Sequence, residues 1–93
     1  MTIEQIIQKQ STTIIDVRTP AEFSGGNVAQ SINIPLQELQ SHLKELKEIK
    51  GDIVLCCASG GRSHMATQML RQQGFDNVHN GGGWLEINNY KPN

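Results

Sequence analysis

Ile53-Val54-Leu55-Cys56-Cys57-Ala58-Ser59-Gly60-Gly61-Arg62-Ser63 is the stretch of sequence that decides the fold. Its apolar half, Ile53 to Cys56, predicts a buried strand, and the small residues after it predict a tight loop. Beyond the loop, a helix is predicted from about Arg62 to Gln73, with these apolar residues on one face: Met65, Ala66, Met69 and Leu70. A strand, a loop and a helix in this order indicate an open α/β sheet, in which ligands bind at the carboxyl ends of the strands.

Cys57 stands where the predicted strand ends and the loop begins. The backbone N–H groups of such a loop and the positive end of the following helix both stabilise an anion more than a neutral thiol. Arg62 adds a full positive charge close by. We therefore expect Cys57 to be a thiolate nucleophile with a lowered pKa. The alternative is a small, inert cysteine buried beside a glycine turn.

Helices and strands alternate along the rest of the chain. Further strands are predicted at residues 12–17, 31–34 and 77–79. Thr2 with Gln5, and Thr19 with Glu22, predict capping boxes at the starts of two helices. A longer helix is predicted from Leu36, because apolar residues recur at helical spacing: Leu39, Leu43, Leu46 and Ile49. Such alternation favours parallel strands joined by right-handed crossovers.

Length and composition exclude several classes of protein. The 93 residues suit one domain over 1–93 with a modest aliphatic core. The formal net charge is −1 and the charges are dispersed, so no surface for nucleic acid is expected. The absence of a signal peptide and of a membrane-length apolar run predicts a cytoplasmic protein that does not bind membranes. The cysteines are adjacent and the histidines scattered, so neither a disulfide nor a zinc site is expected.

Separated segments of the chain match one family in their order and spacing: Ile14 to Phe23 (IIDVRTPAEF), Ile32 to Leu36, Cys57 to Ser63 and Asn80 to Gly82. Over nearly its whole length the chain therefore resembles a single-domain rhodanese, a sulfurtransferase. The resemblance implies a three-layer fold, with a central, mostly parallel sheet of four or five strands flanked by helices. The chain departs from the family pattern at Gln30-Ser31, where glycine-alanine is usual, and at Trp84, which follows the glycines early.

The resemblance also implies a role for each residue of the loop. Cys57 accepts a sulfane sulfur as a persulfide and passes it to a thiophile. The substrate-binding loop around it consists of Ala58, Ser59, Gly60, Gly61, Arg62 and Ser63. The implied partners are a small sulfur-containing anion, thiosulfate or a persulfide donor, and a thiophilic acceptor that can be a protein. Neither a metal nor an organic cofactor is expected.

Two other functions fit part of the same pattern. Cys56, five residues and Arg62 match the spacing of a phosphate-binding cysteine loop, which predicts a phosphatase. In that register Leu55 precedes the nucleophile, where a histidine is common. The other alternative is a non-catalytic binding module that keeps the fold without the chemistry. The intact Cys57 and Arg62 oppose it.

Two arginines are expected near the loop, and their roles differ. Arg62 can hold the sulfonate oxygens of a donor in a charge-assisted pair. Alternatively, Arg62 braces the loop through an ion pair with Glu22 or Asp16. For Arg18, which follows the first strand, a bracing ion pair is favoured over contact with substrate.

Overall fold

A computed structural model describes residues 1–91 of the chain. Its α-helices are α1 (Ile3–Gln8), α2 (Pro20–Ser24), α3 (Leu43–Lys47), α4 (Gly61–Gln72) and α5 (Trp84–Tyr90), and a 3₁₀ helix covers Leu36–His42. Its strands are β1 (Thr13–Asp16), β2 (Ile32–Asn33), β3 (Ile53–Cys57) and β4 (Val78–Gly83). Within residues 1–91, no helix combines the length and apolar character needed to cross a bilayer.

The strands form one sheet of four in the order β2-β1-β3-β4, and every neighbouring pair is parallel. This confirms the predicted parallel sheet flanked by helices. The 3₁₀ helix, α3 and α4 cover one face of the sheet, around Leu55 and Leu70. Helices α1 and α5 cover the other face, around Val54 and Ile87. With both faces covered, all residues of the central strand β3 are buried.

Both predicted capping boxes are present. The Thr2 hydroxyl accepts a hydrogen bond from the Gln5 N–H at 3.2 Å, and the Gln5 side chain accepts one from the Thr2 N–H at 2.9 Å. Thr19 and Glu22 exchange the same two bonds at 3.2 and 3.1 Å, with Pro20 at the first helical position. A cap of this kind stabilises a helix by about 1 kcal/mol, which matters for helices as short as α1 and α2.

The single helix predicted from Leu36 is two helices in the structure. The 3₁₀ helix and α3 meet at His42, whose φ of −109° and ψ of 8° lie outside the α-helical range. A 3₁₀ helix has three residues per turn, so Leu36 and Leu39 fall on the same side of it and both face the core. The prediction is wrong about the helix type and right about the buried face.

β4 continues past its predicted end at His79 and includes the glycines that follow. The register between β3 and β4 shifts just before Cys56, which leaves Gly81 without a partner. A Cβ atom on Gly81 would lie 2.6 Å from Val54 Cγ1, so only glycine lets β4 approach β3 this closely. The sequence pattern misses this extension because glycine is depleted in strands.

Two residues have surroundings that differ from expectation. Met65, predicted on the buried face of α4, is 60% exposed, because the buried stripe of α4 runs through other positions: Ser63, Ala66, Thr67 and Leu70.

Gln30 occupies a position where the family that the chain resembles usually has glycine, and its φ of 68° lies in the left-handed region that glycine favours. The chain therefore keeps the left-handed backbone conformation at this position although the residue is glutamine.

Candidate active site

Cys57 is the last residue of β3 and lies at the carboxyl edge of the sheet. It is paired with Gly83 of β4, and the strand ends one residue later than predicted. The chain then turns through Ala58, Ser59 and Gly60 into α4. The side chain is enclosed by this turn, since Cys57 is only 1% exposed. The predicted arrangement of strand, tight loop and helix is therefore present around this thiol.

Backbone N–H groups of the loop point at the Cys57 sulfur. The Gly60 nitrogen lies 3.0 Å from Sγ, and the Ser63 nitrogen lies 3.5 Å from it. The Ser63 hydroxyl oxygen is also 3.5 Å away. Gly60 is the N-cap of α4 and supplies no side-chain cap, so N–H groups of the first turn are available to the sulfur. This end of the helix also carries its positive partial charge.

Gly60 allows the loop to take this shape. Its φ of 104° lies in the left-handed region, where an L-residue is strained. A Cβ atom there would also lie 3.4 Å from the Cα of Gly82 in β4. Gly61 differs, because nothing lies within 4 Å of a Cβ built on it. Only the first of these two glycines is required by the backbone.

The surroundings shift the pKa values of the two cysteines in opposite directions. Burial raises the pKa of Cys57, but hydrogen bonds from Ser63 and the loop N–H groups outweigh burial and bring that pKa below its ordinary 9.0. Burial, assisted by the Asp16 carboxylate, raises the pKa of Cys56 to about 12. Near neutral pH, Cys57 therefore has a far larger thiolate fraction than Cys56.

Cys56 faces the opposite side of the sheet from Cys57. It is 0% exposed and packs in the cluster that includes Ile14, Val28 and Val54. Neighbouring residues of a strand point to opposite faces, so the two thiols do not share a site. A fully buried thiol with a raised pKa is a poor nucleophile. The structure therefore gives no support to the phosphatase register that begins at Cys56.

Arg62 forms a two-point ion pair with Glu22 of α2. Its Nη1 and Nη2 atoms lie 2.7 and 3.0 Å from the two carboxylate oxygens. This is the bracing arrangement considered for Arg62, with Glu22 rather than Asp16 as the partner. Hydrogen bonds from Arg62 and from the Thr19 backbone lower the pKa of Glu22 to about 2. The positive charge beside the loop is therefore already paired with a carboxylate.

Arg18 is buried and forms an ion pair, the kind of contact expected for it. Its guanidinium lies 2.7 to 3.0 Å from the carboxylate oxygens of Asp16, which is 0% exposed, and donates to the Gly26 carbonyl at 2.7 Å. The guanidinium carbon also lies 4.7 Å from the centre of the Trp84 ring, within cation–π range. Trp84, which follows the glycines early, therefore packs its indole against the Arg18 guanidinium.

The remaining residues of the predicted loop divide by exposure. Ala58, Ser59 and Gly61 are exposed, whereas Ser63 is fully buried. Asn80, the residue before the glycines at 81–83, lies beside Ser63, with 2.6 Å between Ser63 Oγ and Asn80 Oδ1. Its position directly after the strand predicted at residues 77–79 is the signal that could have identified it.

Comparison with known proteins places the chain in a family. The family model described as the rhodanese-like domain matches residues 2–89. The chain belongs to the rhodanese-like domain family. This rhodanese-like domain is 30% identical over 77 residues to a sulfurtransferase of Allochromatium vinosum, covering 83% of this chain and 71% of that protein. It is 35% identical over 74 residues to the thiosulfate sulfurtransferase PspE of Escherichia coli, covering 78% and 71%.

Solved structures show the same fold. A rhodanese-related protein from Thermoplasma volcanium superposes with a TM-score of 0.72 at 40% identity, covering 83% of this chain and 79% of that one. Some curated relatives are considerably longer than the rhodanese-like domain described here. The chain spans between 41% and 63% of the length of four of them.

Proposed function

We propose that this rhodanese-like domain transfers a sulfane sulfur from a small anionic donor such as thiosulfate to a thiophilic acceptor, with Cys57 carrying the sulfur as a persulfide. The observation that carries the proposal is the approach of the Gly60 N–H to the Cys57 sulfur, at 3.0 Å. A thiolate at this position is stabilised without a metal or an organic cofactor. The description of the Escherichia coli relative as a thiosulfate sulfurtransferase supports the choice of donor.

The proposed reaction has two displacement steps at sulfur. The Cys57 thiolate attacks the outer sulfur of thiosulfate, so a bond forms between Cys57 and that sulfur. The bond from the outer sulfur to the sulfonate breaks, and sulfite leaves with its electron pair. An anionic acceptor, cyanide or a thiolate, then attacks the outer sulfur of the persulfide. That second step releases the transferred sulfur on the acceptor and restores the Cys57 thiolate, with no external oxidant or reductant.

The loop from Ala58 to Ser63 is proposed to hold the transferred sulfur. The N–H groups of Gly60 and Ser63 already point toward the thiol, and a persulfide places its negative outer sulfur one bond further along. Because Cys57 is 1% exposed, access to its sulfur is narrow. A single terminal sulfur atom suits that access better than a phosphate group does, which favours the sulfurtransferase over the phosphatase.

Arg62 is proposed to raise the positive potential at the loop while it remains paired with Glu22. The acceptor is a small thiophile or a protein thiol, and the cytoplasmic location remains a prediction. Nothing in the proposed chemistry calls for nucleic acid or for a membrane.

Intact mass spectrometry after incubation with thiosulfate tests the proposal. The wild type and Cys56→Ser should each retain one additional sulfur atom, which cyanide should then remove as thiocyanate. Cys57→Ser should retain none. The two serine variants are matched, since they alter adjacent thiols in the same strand. Sulfur retained by Cys57→Ser, or lost from Cys56→Ser in folded protein, would overturn the assignment of the nucleophile.

A further inference from the structure

The Ser63 hydroxyl behind the thiol has more acceptors than protons. Ser63 is 0% exposed, so no solvent reaches it. Three acceptors surround its Oγ atom: Asn80 Oδ1 at 2.6 Å, the Gly60 carbonyl at 3.1 Å and the Cys57 sulfur at 3.5 Å. A hydroxyl carries a single proton. Whichever acceptor takes that proton leaves the others facing lone pairs of the oxygen.

The orientation of the Asn80 amide decides where the proton goes. The Gly82 N–H, which can only donate, lies 3.0 Å from Oδ1, so the atom facing it is the amide oxygen. The amide nitrogen correspondingly faces the Gly60 carbonyl at 3.4 Å. Since Oδ1 has no proton of its own, the short contact with Ser63 requires the hydroxyl to donate to Asn80.

In this arrangement the Ser63 oxygen turns lone pairs toward Cys57. These lone pairs can accept a hydrogen bond from the neutral S–H group but offer nothing to a thiolate. The Ser63 N–H faces the sulfur in either case, but the Ser63 hydroxyl donates to the thiolate only when its proton turns to the sulfur, and that turn breaks the bond to Asn80. The two acceptors therefore exclude each other.

We infer that Asn80 is a positioning residue whose carbonyl oxygen competes with the Cys57 sulfur for the hydroxyl proton of Ser63. By holding that proton, Asn80 keeps the thiolate less well hydrogen-bonded. Such a thiolate is a stronger nucleophile, because nucleophilicity falls as a thiol becomes more acidic. The inference rests on the proposed function, in which Cys57 is the reacting thiol.

Charged groups on the neighbouring elements are unchanged by substitution of Asn80: Arg62 on α4, Glu22 on α2, Glu86 on α5, Asp16 at the end of β1, and Arg18 after it. His64 lies in the first turn of α4 and is likewise unchanged. These groups affect the Cys57 midpoint equally in variants that differ only at residues 63 and 80. A difference in midpoint between such variants therefore reports where the Ser63 hydroxyl proton points.

The pH dependence of Cys57 alkylation by iodoacetamide tests the inference in a Cys56→Ala background. Asn80→Ala should lower the midpoint by about 0.5 to 1 pH unit, because Ser63 is then free to donate to the thiolate. It should also lower the plateau rate at high pH by about two- to threefold. Both effects should vanish when Ser63→Ala is added. Asn77→Ala is the matched control, since Asn77 binds the Gly51 carbonyl at the other end of β4 and should change neither quantity.

A purely structural role for Asn80 predicts different results. If Asn80 only stabilised the loop, Asn80→Ala would raise the midpoint, and the change would be the same whether or not Ser63 is present. A raised midpoint, or a change that does not depend on Ser63, would overturn the inference. Should Asn80→Ala fail to fold, Asn80→Asp can be used, because it keeps an oxygen facing Ser63 and the Gly82 N–H. Asn80→Asp should raise the midpoint of Cys57 alkylation, and this rise should be smaller when Ser63→Ala is also present. An equal shift in both backgrounds would overturn the inference.

Sulfur loading by mass separates this inference from the proposed function. If the wild type retained no sulfur after incubation with thiosulfate while the predicted midpoint shifts were observed, only the proposed function would be overturned. Normal loading without the shifts would overturn only the role of Asn80.

Discussion

Arg62 and Glu22 are 40 residues apart in the chain and share two hydrogen bonds, of 2.7 and 3.0 Å. The carboxylate of Glu22 is itself held by the backbone and hydroxyl of Thr19, 3.1 Å away in each case. The loop helix α4 is thereby tied to α2 through a carboxylate that is already fixed in a capping box. The positive charge of the Arg62 guanidinium is therefore partly neutralised.

Releasing Arg62 should improve the use of an anionic donor. In Glu22→Gln the guanidinium is free to contact thiosulfate, and we expect kcat/KM for thiosulfate to rise roughly tenfold, mostly through a lower KM. Arg62→Ala should reduce kcat/KM for thiosulfate by a similar factor. A neutral persulfide donor should respond weakly to both changes. Steady-state kinetics with the two donors checks this, with exposed Glu38→Gln as control; equal effects on both donors would assign Arg62 a bracing role only.

The same ion pair should make stability depend on acidic pH. The pKa of Glu22 falls from 4.5 to about 2 on folding, so its contribution is fully present above pH 4.5 and is lost as pH falls toward about 2. Urea unfolding of the wild type should therefore show a steeper loss of stability over that range than unfolding of Glu22→Gln. Parallel curves for the two proteins would contradict the lowered pKa.

Cys57 should titrate below an ordinary thiol. Donors from the loop favour the thiolate and burial opposes it, with the donors dominating. Alkylation followed against pH in Cys56→Ala should give a midpoint below 9.0, the ordinary value for the group. The same protein unfolded in urea should return to the ordinary midpoint. A folded midpoint at or above that of the unfolded chain would show that the loop does not stabilise the anion.

Adjacent glycines should respond very differently to alanine. Gly60→Ala places a Cβ atom on a residue with a φ of 104°, which costs about 1–2 kcal/mol and turns the N–H away from Cys57. Gly61→Ala meets no atom within 4 Å and lies in a helix, so it should be neutral or stabilising by up to about 1 kcal/mol. Urea unfolding and the Cys57 alkylation midpoint measure both effects. Equal behaviour of the two variants would contradict the role given to the loop backbone.

Removal of Arg18 should destabilise the fold strongly. Arg18→Met leaves the Asp16 carboxylate, 0% exposed, without its partner, which destabilises a protein by about 3–5 kcal/mol. Adding Asp16→Asn should recover much of that loss. Arg71→Met, which removes an exposed arginine from α4, is the matched control. Chemical unfolding that shows Arg18→Met and Arg71→Met equally stable would contradict the buried ion pair.

Features caused by residues close together in sequence were predictable. The capping boxes at Thr2 and Thr19 depend on side chains three positions apart, and both formed as expected. The apolar run before Cys57 was sufficient to place the central strand. Features caused by contact with a distant segment were not predictable. The extension of β4 through Gly81 exists because β3 packs against it, and no local propensity indicates that contact.

In the candidate site, too, features set by neighbouring residues could be predicted and contacts between distant segments could not. Cys57, its loop and the start of α4 are contiguous, so the thiol with converging N–H groups could be predicted. The sequence predicted that Arg62 would pair with Glu22 or Asp16 but could not decide between them, because the choice depends on how α2 packs against α4. Asn80 lies 17 residues from Ser63 and meets it only through the pairing of β3 and β4.

The central place of β3 also bears on the order of synthesis. β3 pairs with β1, made before it, and with β4, made after it, and within residues 1–91 no two strands are joined by a hairpin. Pairing over long loops is slow compared with local folding. A nascent chain that has emerged only as far as α4 therefore lacks β4, and the edge of β3 with which β4 pairs is still open. During translation that edge can pair with another chain, and it becomes unavailable when β4 docks.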